Sequence, residues 1–201
     1  MKIFITAIGT DSGKSLLSAI LTEALEADYW KPIQAGLPGD TDYVKQLVSN
    51  KKSNFIPEAY VLNTPASPHY AAEVDGVKLS IVNFHLPETG NHLVIEGAGG
   101  ALVPVNHEEF VIDLPQKWKI PVILVANLYL GSINHTLLTL NELQRRSIEL
   151  KGIVFNGNAN PSSESIILQH ANAPCLLRIN QEKEITKEVV RNYAKEILRN
   201  L

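Results

Sequence analysis

An apolar, β-branched run, Ile3-Phe4-Ile5-Thr6-Ala7-Ile8, leads directly into Gly9-Thr10-Asp11-Ser12-Gly13-Lys14-Ser15. A helix-forming run, Leu16 to Leu21, follows at once. Strand, glycine-containing loop, Lys-Ser and helix is the layout of a phosphate-binding P-loop. The first glycine of the common G-x-x-x-x-G-K-[ST] spacing would fall at Ile8, and Gly9 stands one place late. The chemistry accounts for the residue types. Backbone N–H groups at the loop and helix start converge on phosphate oxygens. Lys14 adds a charge for the β- and γ-phosphates, and Ser15 offers a hydroxyl to Mg²⁺. Gly13 has no side chain to block the approach.

Downstream, strand-like and helix-like stretches alternate to the end of the chain. Expected strands are Tyr29–Ile33, Tyr60–Leu62, His92–Glu96, Pro121–Ala126, Gly152–Asn156 and Leu176–Ile179. Between them, helices are expected from Asp40 to Val48, after Pro68, over Ser80–His85, Phe110–Trp118, Gly131–Ile148, Ser162–His170 and Thr186–Leu198. The strands are continuous apolar runs, the mark of a parallel sheet buried on both faces. The expected fold is therefore a three-layer α/β/α P-loop domain, single over residues 1–201, with a mostly parallel central sheet. Ligands of such sheets bind outside the carboxyl ends of the strands. Lys14, Lys31, Glu96, Asn127 and Asn156 all follow or end a strand.

Composition excludes several classes. A net charge of −3 leaves no basic footprint for nucleic acid. No apolar run is long enough to span a membrane, and Met1-Lys2-Ile3 enters a strand directly, so the expected location is the cytoplasm. The single cysteine, Cys175, rules out an intrachain disulfide and is expected as a small buried hydrophobe near a strand. The six histidines have no ligand-like spacing, which argues against zinc.

Glu96 ends an apolar strand and precedes Gly97-Ala98-Gly99-Gly100, the place of a second Mg²⁺ ligand in a P-loop enzyme. Asp40 and Asp42 are either site residues or plain helix-start acids. Lys31, at a strand end before a glycine turn, is a candidate catalytic cation. A Ras-like GTPase needs Asn-Lys-x-Asp, but Asn127 continues as Leu128-Tyr129-Leu130. A regulatory ATPase of the MinD type usually carries an extra lysine where Gly9 stands.

Six motifs in order make the chain resemble the dethiobiotin synthetases: Gly9 to Ser15, Lys31-Pro32-Ile33-Gln34-Ala35-Gly36, Asp42, Ala66-Ser67-Pro68-His69, Glu96 to Gly100, and Leu130-Gly131-Ser132-Ile133-Asn134-His135. The likeness is expected to cover Met1 to about Asn156 and to fade afterwards. It implies a homodimeric enzyme that joins CO₂ to 7,8-diaminononanoate and closes a cyclic urea, with ATP as co-substrate and Mg²⁺ as cofactor. It implies that Asp11, Ser12, Gly13, Lys14, Ser15 and Leu16 hold the triphosphate, with Glu96, Gly97, Ala98 and Gly99 beside it and Asn156 on the base. Ser15, Asp42 and Glu96 would ligate Mg²⁺. Lys14 and Lys31 would be catalytic, Lys31 facing the carbamate. Thr10, Lys31, Ala35, Gly131, Ser132 and Asn134 would meet the substrate, the last three through its carboxylate and partly across the dimer. Ala7 and Ala35 depart from the family's usual Gly and Ser/Thr, and Asp11 from its Glu. The family's late Pro-Leu-Leu-Gly-x-Ile-Pro appears as Pro174 to Asn180 without its Gly and final Pro, so weak base discrimination is expected. The competing readings are another P-loop ligase or kinase and a MinD-type ATPase switch.

Overall fold

The computed structural model describes residues Met1–Leu201. Seven parallel strands form the central sheet: β1 (Lys2–Ala7), β2 (Asp28–Trp30), β4 (Phe55–Ile56), β6 (Leu93–Glu96), β7 (Val122–Asn127), β8 (Leu150–Asn156) and β9 (Cys175–Ile179). Their order is β4-β2-β6-β1-β7-β8-β9. Two further strands, β3 (Ile33–Ala35) and β5 (Tyr60–Leu62), pair in parallel as a small separate sheet. The sheet is mostly parallel as expected, and the expected strand Tyr29–Ile33 is divided. Lys31-Pro32 separates β2 from β3, because a proline has no N–H to continue the ladder. β4 follows the polar loop at Lys51–Asn54 and is too short for any periodicity to announce it.

Side-chain alternation along β1 builds both layers. Ile3, Ile5 and Ala7 face one cluster and Phe4 the other. On the first side lie α1 (Lys14–Leu25), α2 (Asp40–Leu47) and α7 (Lys187–Ile197), through Leu17, Ile20, Val44, Val190 and Ile197. The second side is covered by α3 (Pro68–Val74), α4 (Asp113–Trp118), α5 (Ser132–Arg145) and α6 (Pro161–Ala171). These bury Ala71, Leu114, Leu143, Leu140 and Ile167. The expected helix at Ser80–His85 is a 3₁₀ turn over Ile81–Asn83. The helix expected from Phe110 begins at Asp113, since Phe110 is bridged to Pro104 in an antiparallel contact. Cys175 opens β9 half-buried, not fully enclosed.

From β1 the chain crosses to β2 on one side, and after β6 it returns to β7 on the other. The loop after β1 therefore sits at the switch point of the sheet, where open α/β sheets bind ligands. The β8–β9 pairing is tight. A Cβ on Gly152 would lie 2.8 Å from Leu176 Cδ1 and 2.9 Å from the Pro174 carbonyl. Gly152→Ala is expected to destabilise the fold by about 1–3 kcal/mol through overpacking, read from denaturant midpoints at unchanged slope. No helix is long and apolar enough to cross a membrane.

Candidate active site

The carboxyl ends of β1, β2 and β6 open onto a cavity of about 720 Å³. The P-loop contributes Thr10, Asp11, Gly13, Lys14, Ser15 and Leu16 to its wall. Opposite stand Lys31, Ala35 and Asp40, and Glu96, Ala98 and Gly99 close the floor. Most of the residues expected at the phosphate and reacting ends thus meet in one space.

The loop reaches its shape by bracing from behind. Gly13, with φ 99°, turns the chain into α1, where its carbonyl accepts from Leu17 N at 3.0 Å. Ser12 is buried, and its one hydroxyl proton is shared between two acceptors, Asn127 Oδ1 at 2.8 Å and the Gly9 carbonyl at 3.0 Å. Asn156 Nδ2 donates to the Ser12 carbonyl at 2.9 Å. Asn127 and Asn156 are register partners at the ends of β7 and β8, so two strand ends grip one loop. Asn127 ends a strand, the one sign in the sequence of its role here.

Glu96 is the hub. It is 1% exposed and takes four donors. Ser15 Oγ (2.8 Å) and Lys31 Nζ (3.0 Å) donate to Oε1. Ser18 Oγ (2.7 Å) and Tyr29 OH (2.9 Å) donate to Oε2. Lys31 is also ion-paired to Asp40. The two lysines are electrostatically unequal. Burial works against the Lys31 ammonium, but Glu96 and Asp40 outweigh it and hold its pKa above the ordinary value. Burial lowers the pKa of Lys14 to about 8, with Glu96 working against the drop and Lys31 adding to it. The only hydrogen bond from Lys14 Nζ goes to the Gly9 carbonyl at 3.4 Å. An ammonium so poorly paired in a cavity is ready for an anion.

The donors suit a hard cation. Ser15 and Glu96 present a hydroxyl and a carboxylate oxygen to the cavity, the ligand type of Mg²⁺. No three His, Cys, Asp or Glu side chains gather to hold a metal unaided. A Mg²⁺ ion normally keeps several waters and takes phosphate oxygens to complete its shell.

Some expected residues lie elsewhere. Asp42 is exposed and outside the cavity wall, and the acid of that turn which reaches inside is Asp40. The reason is helical geometry, since residues two apart do not share a face. Gln34 fixes the turn before α2. Its Nε2 donates to the Gly36 carbonyl at 2.8 Å, and its Oε1 accepts from Asp40 N at 3.0 Å. Gly97 lies under the wall against the Phe4 ring, with its N–H on the Ile5 carbonyl at 2.9 Å. Gly131 and Asn134 are exposed at the start of α5, outside the cavity. Ser132 beside them is buried, with its hydroxyl unpartnered. In the late segment, Arg178 pairs with Glu164 at 2.5 Å and lies 5.9 Å from the centre of the Phe155 ring, also outside the cavity.

Comparison with known proteins points to one family. A family model described as an AAA domain matches residues 1–189. An ATP-dependent dethiobiotin synthetase BioD from Cytophaga hutchinsonii is 55% identical over 99% of this chain and 98% of its own. The enzyme of that name from Christiangramia forsetii is 50% identical over 98% and 96%. The likeness therefore does not fade after Asn156; it runs through β9 and α7. The cell division ATPase MinD of Pyrococcus furiosus superposes with a TM-score of 0.60 over 100% of this chain and 99% of its own. At 12% identity that likeness shows the P-loop fold alone. The chain belongs to the ATP-dependent dethiobiotin synthetases, ligases that form a C–N bond.

Proposed function

We propose that this enzyme carboxylates 7,8-diaminononanoate with CO₂ and closes the cyclic urea, converting ATP to ADP and phosphate. The reading takes residues 1–201 as a single domain, working as a cytoplasmic homodimer with Mg²⁺. One observation carries it: Glu96 ties Ser15 of the phosphate loop to Lys31 through a single carboxylate oxygen. Phosphoryl chemistry and a cation suited to a growing anion then share one cavity.

In this reading, one substrate amine attacks CO₂ and loses a proton, leaving a carbamate. Lys31, held protonated by Glu96 and Asp40, stabilises its negative charge. The carbamate oxygen attacks the γ-phosphorus, and ADP leaves. The second amine attacks the carbonyl of the resulting carbamic-phosphoric anhydride, closes the ring and expels phosphate. Lys14 and the N–H groups from Asp11 to Leu16 hold the triphosphate in line for transfer. When bound at Ser15 and Glu96, with an acid of the α2 start nearby, Mg²⁺ supplies charge neutralisation to the phosphates. Thr10, Ala98 and Gly99 border the reacting end with Gly97 beneath them, and Ala35 lines it without a hydroxyl. Asn156 keeps Oδ1 free to accept from an exocyclic amine, its Nδ2 being committed to the loop. The start of α5, with the unpartnered Ser132 hydroxyl, suits a carboxylate, supplied in part across a dimer.

Phosphate release is the test. We expect it to require diaminononanoate and bicarbonate together and to fall to background without either. Brisk release from ATP alone, indifferent to both, would refute the ligase reading and favour an ATPase switch.

A further inference from the structure

The two oxygens of Glu96 face different surroundings. Oε1 meets Ser15 and Lys31, both on the cavity wall, whereas Oε2 meets Ser18 and Tyr29, which lie outside it. Ser18 sits one helical turn beyond Ser15 on α1 and is fully buried. Tyr29 is fully buried in β2, level with Val94 of β6, and its ring packs on Phe55 at 6.1 Å. Strand alternation sends Tyr29 to the α1 side and Trp30 to the other. β2 and the residue that follows it therefore deliver a hydroxyl to the back of the carboxylate and an ammonium to its front.

We infer that Tyr29 and Ser18 are positioning residues that lock Glu96 by Oε2, so that Oε1 is presented to the metal and to Lys31. The inference rests on the proposed Mg²⁺ role of Glu96. When a metal displaces partners of the site-facing oxygen, a carboxylate keeps its orientation only if its other oxygen is held from outside the site. Here two hydroxyls hold it, each donating to Oε2. Partners behind a metal ligand orient it and tune its affinity for the ion. A buried tyrosine whose hydroxyl merely needs a partner predicts a different result: its loss would lower stability and leave the metal response alone.

The test reads metal binding and not turnover. Mn²⁺ is titrated into ADP-saturated protein and followed by electron paramagnetic resonance, and ADP affinity is measured separately in EDTA. Tyr29→Phe removes one donor and keeps the ring; Ser18→Ala removes the other at a site independent of the Phe55 contact. Each is expected to weaken Mn²⁺ about tenfold while ADP affinity in EDTA stays within about twofold of wild type. Unchanged Mn²⁺ affinity in the folded variants overturns the inference, as does an equal fall in metal-free ADP affinity. If the wild-type ADP complex binds no Mn²⁺, the metal reading of Glu96 fails and takes this inference with it; binding in the wild type that neither variant weakens overturns the positioning role alone.

Discussion

Lys14→Met is expected to lose turnover by on the order of 100- to 1000-fold, the cost of removing one preorganised charge from a reacting anion. The nucleotide-free variant is expected to melt no lower than wild type. Both follow from the same geometry. Lys14 is 7% exposed, its ammonium has one long bond to a carbonyl, and Lys31 stands nearby. Holding that charge costs the empty protein stability, and methionine keeps most of the buried stem while removing the charge. Functional sites commonly trade stability in this way. The pKa of about 8 adds a pH signature. Below that pH the free amine is already protonated, and binding phosphate requires no proton uptake. Above it, an anion must draw a proton onto Lys14, so metal-free ADP affinity falls as pH rises, at most about tenfold per unit. The wild type should show this fall and Lys14→Met should not. A folded Lys14→Met enzyme with near wild-type turnover, or a wild-type affinity flat from pH 7 to 10, would refute the assignment.

Local patterns made the frame legible. The run from Ile3 to Ser15, the apolar strand ending at Glu96 and the helix opening at Gly131 each carry their own signal in the chain. What stayed hidden is convergent. Ser18 is one small residue inside a helix and Tyr29 one aromatic inside a strand, and only the β2–β6 register and the seating of α1 bring both to Oε2. Asp40 and Asp42 are equivalent as helix-start acids, and only the turn fixed by Gln34 selects which one faces Lys31. The lost Gly and Pro after Pro174 suggest that the likeness ends near Asn156. Against this, α7 buries Val190, Tyr193, Ala194 and Ile197, an amphipathic face that the changes around β9 leave intact.

Gly13→Ala is expected to weaken nucleotide binding by on the order of tenfold to a hundredfold, for two separable reasons. The backbone at Gly13 has φ 99°, beyond the left-handed region that side chains tolerate. Such strain costs about 1–3 kcal/mol, and relaxing it would swing the loop N–H groups away from the phosphates. The second reason is contact. A Cβ there would overlap Asn156 Nδ2 and lie 3.1 Å from its Cγ. That amide cannot retreat without releasing the Ser12 carbonyl, which it holds at 2.9 Å. Asn156 thus meets the loop twice, as a brace and as the surface that forbids a side chain at position 13. A double-mutant cycle separates the two. Asn156→Ala alone should weaken ADP through two lost hydrogen bonds, the brace to Ser12 and the proposed contact from Oδ1 to the base. Added to Gly13→Ala, it should cost less than it does alone, because it also removes the overlap, while the φ strain remains. Full additivity would mean that the side chain at 156 is not what excludes a Cβ, and a Gly13→Ala protein with wild-type ADP affinity would contradict the loop geometry itself.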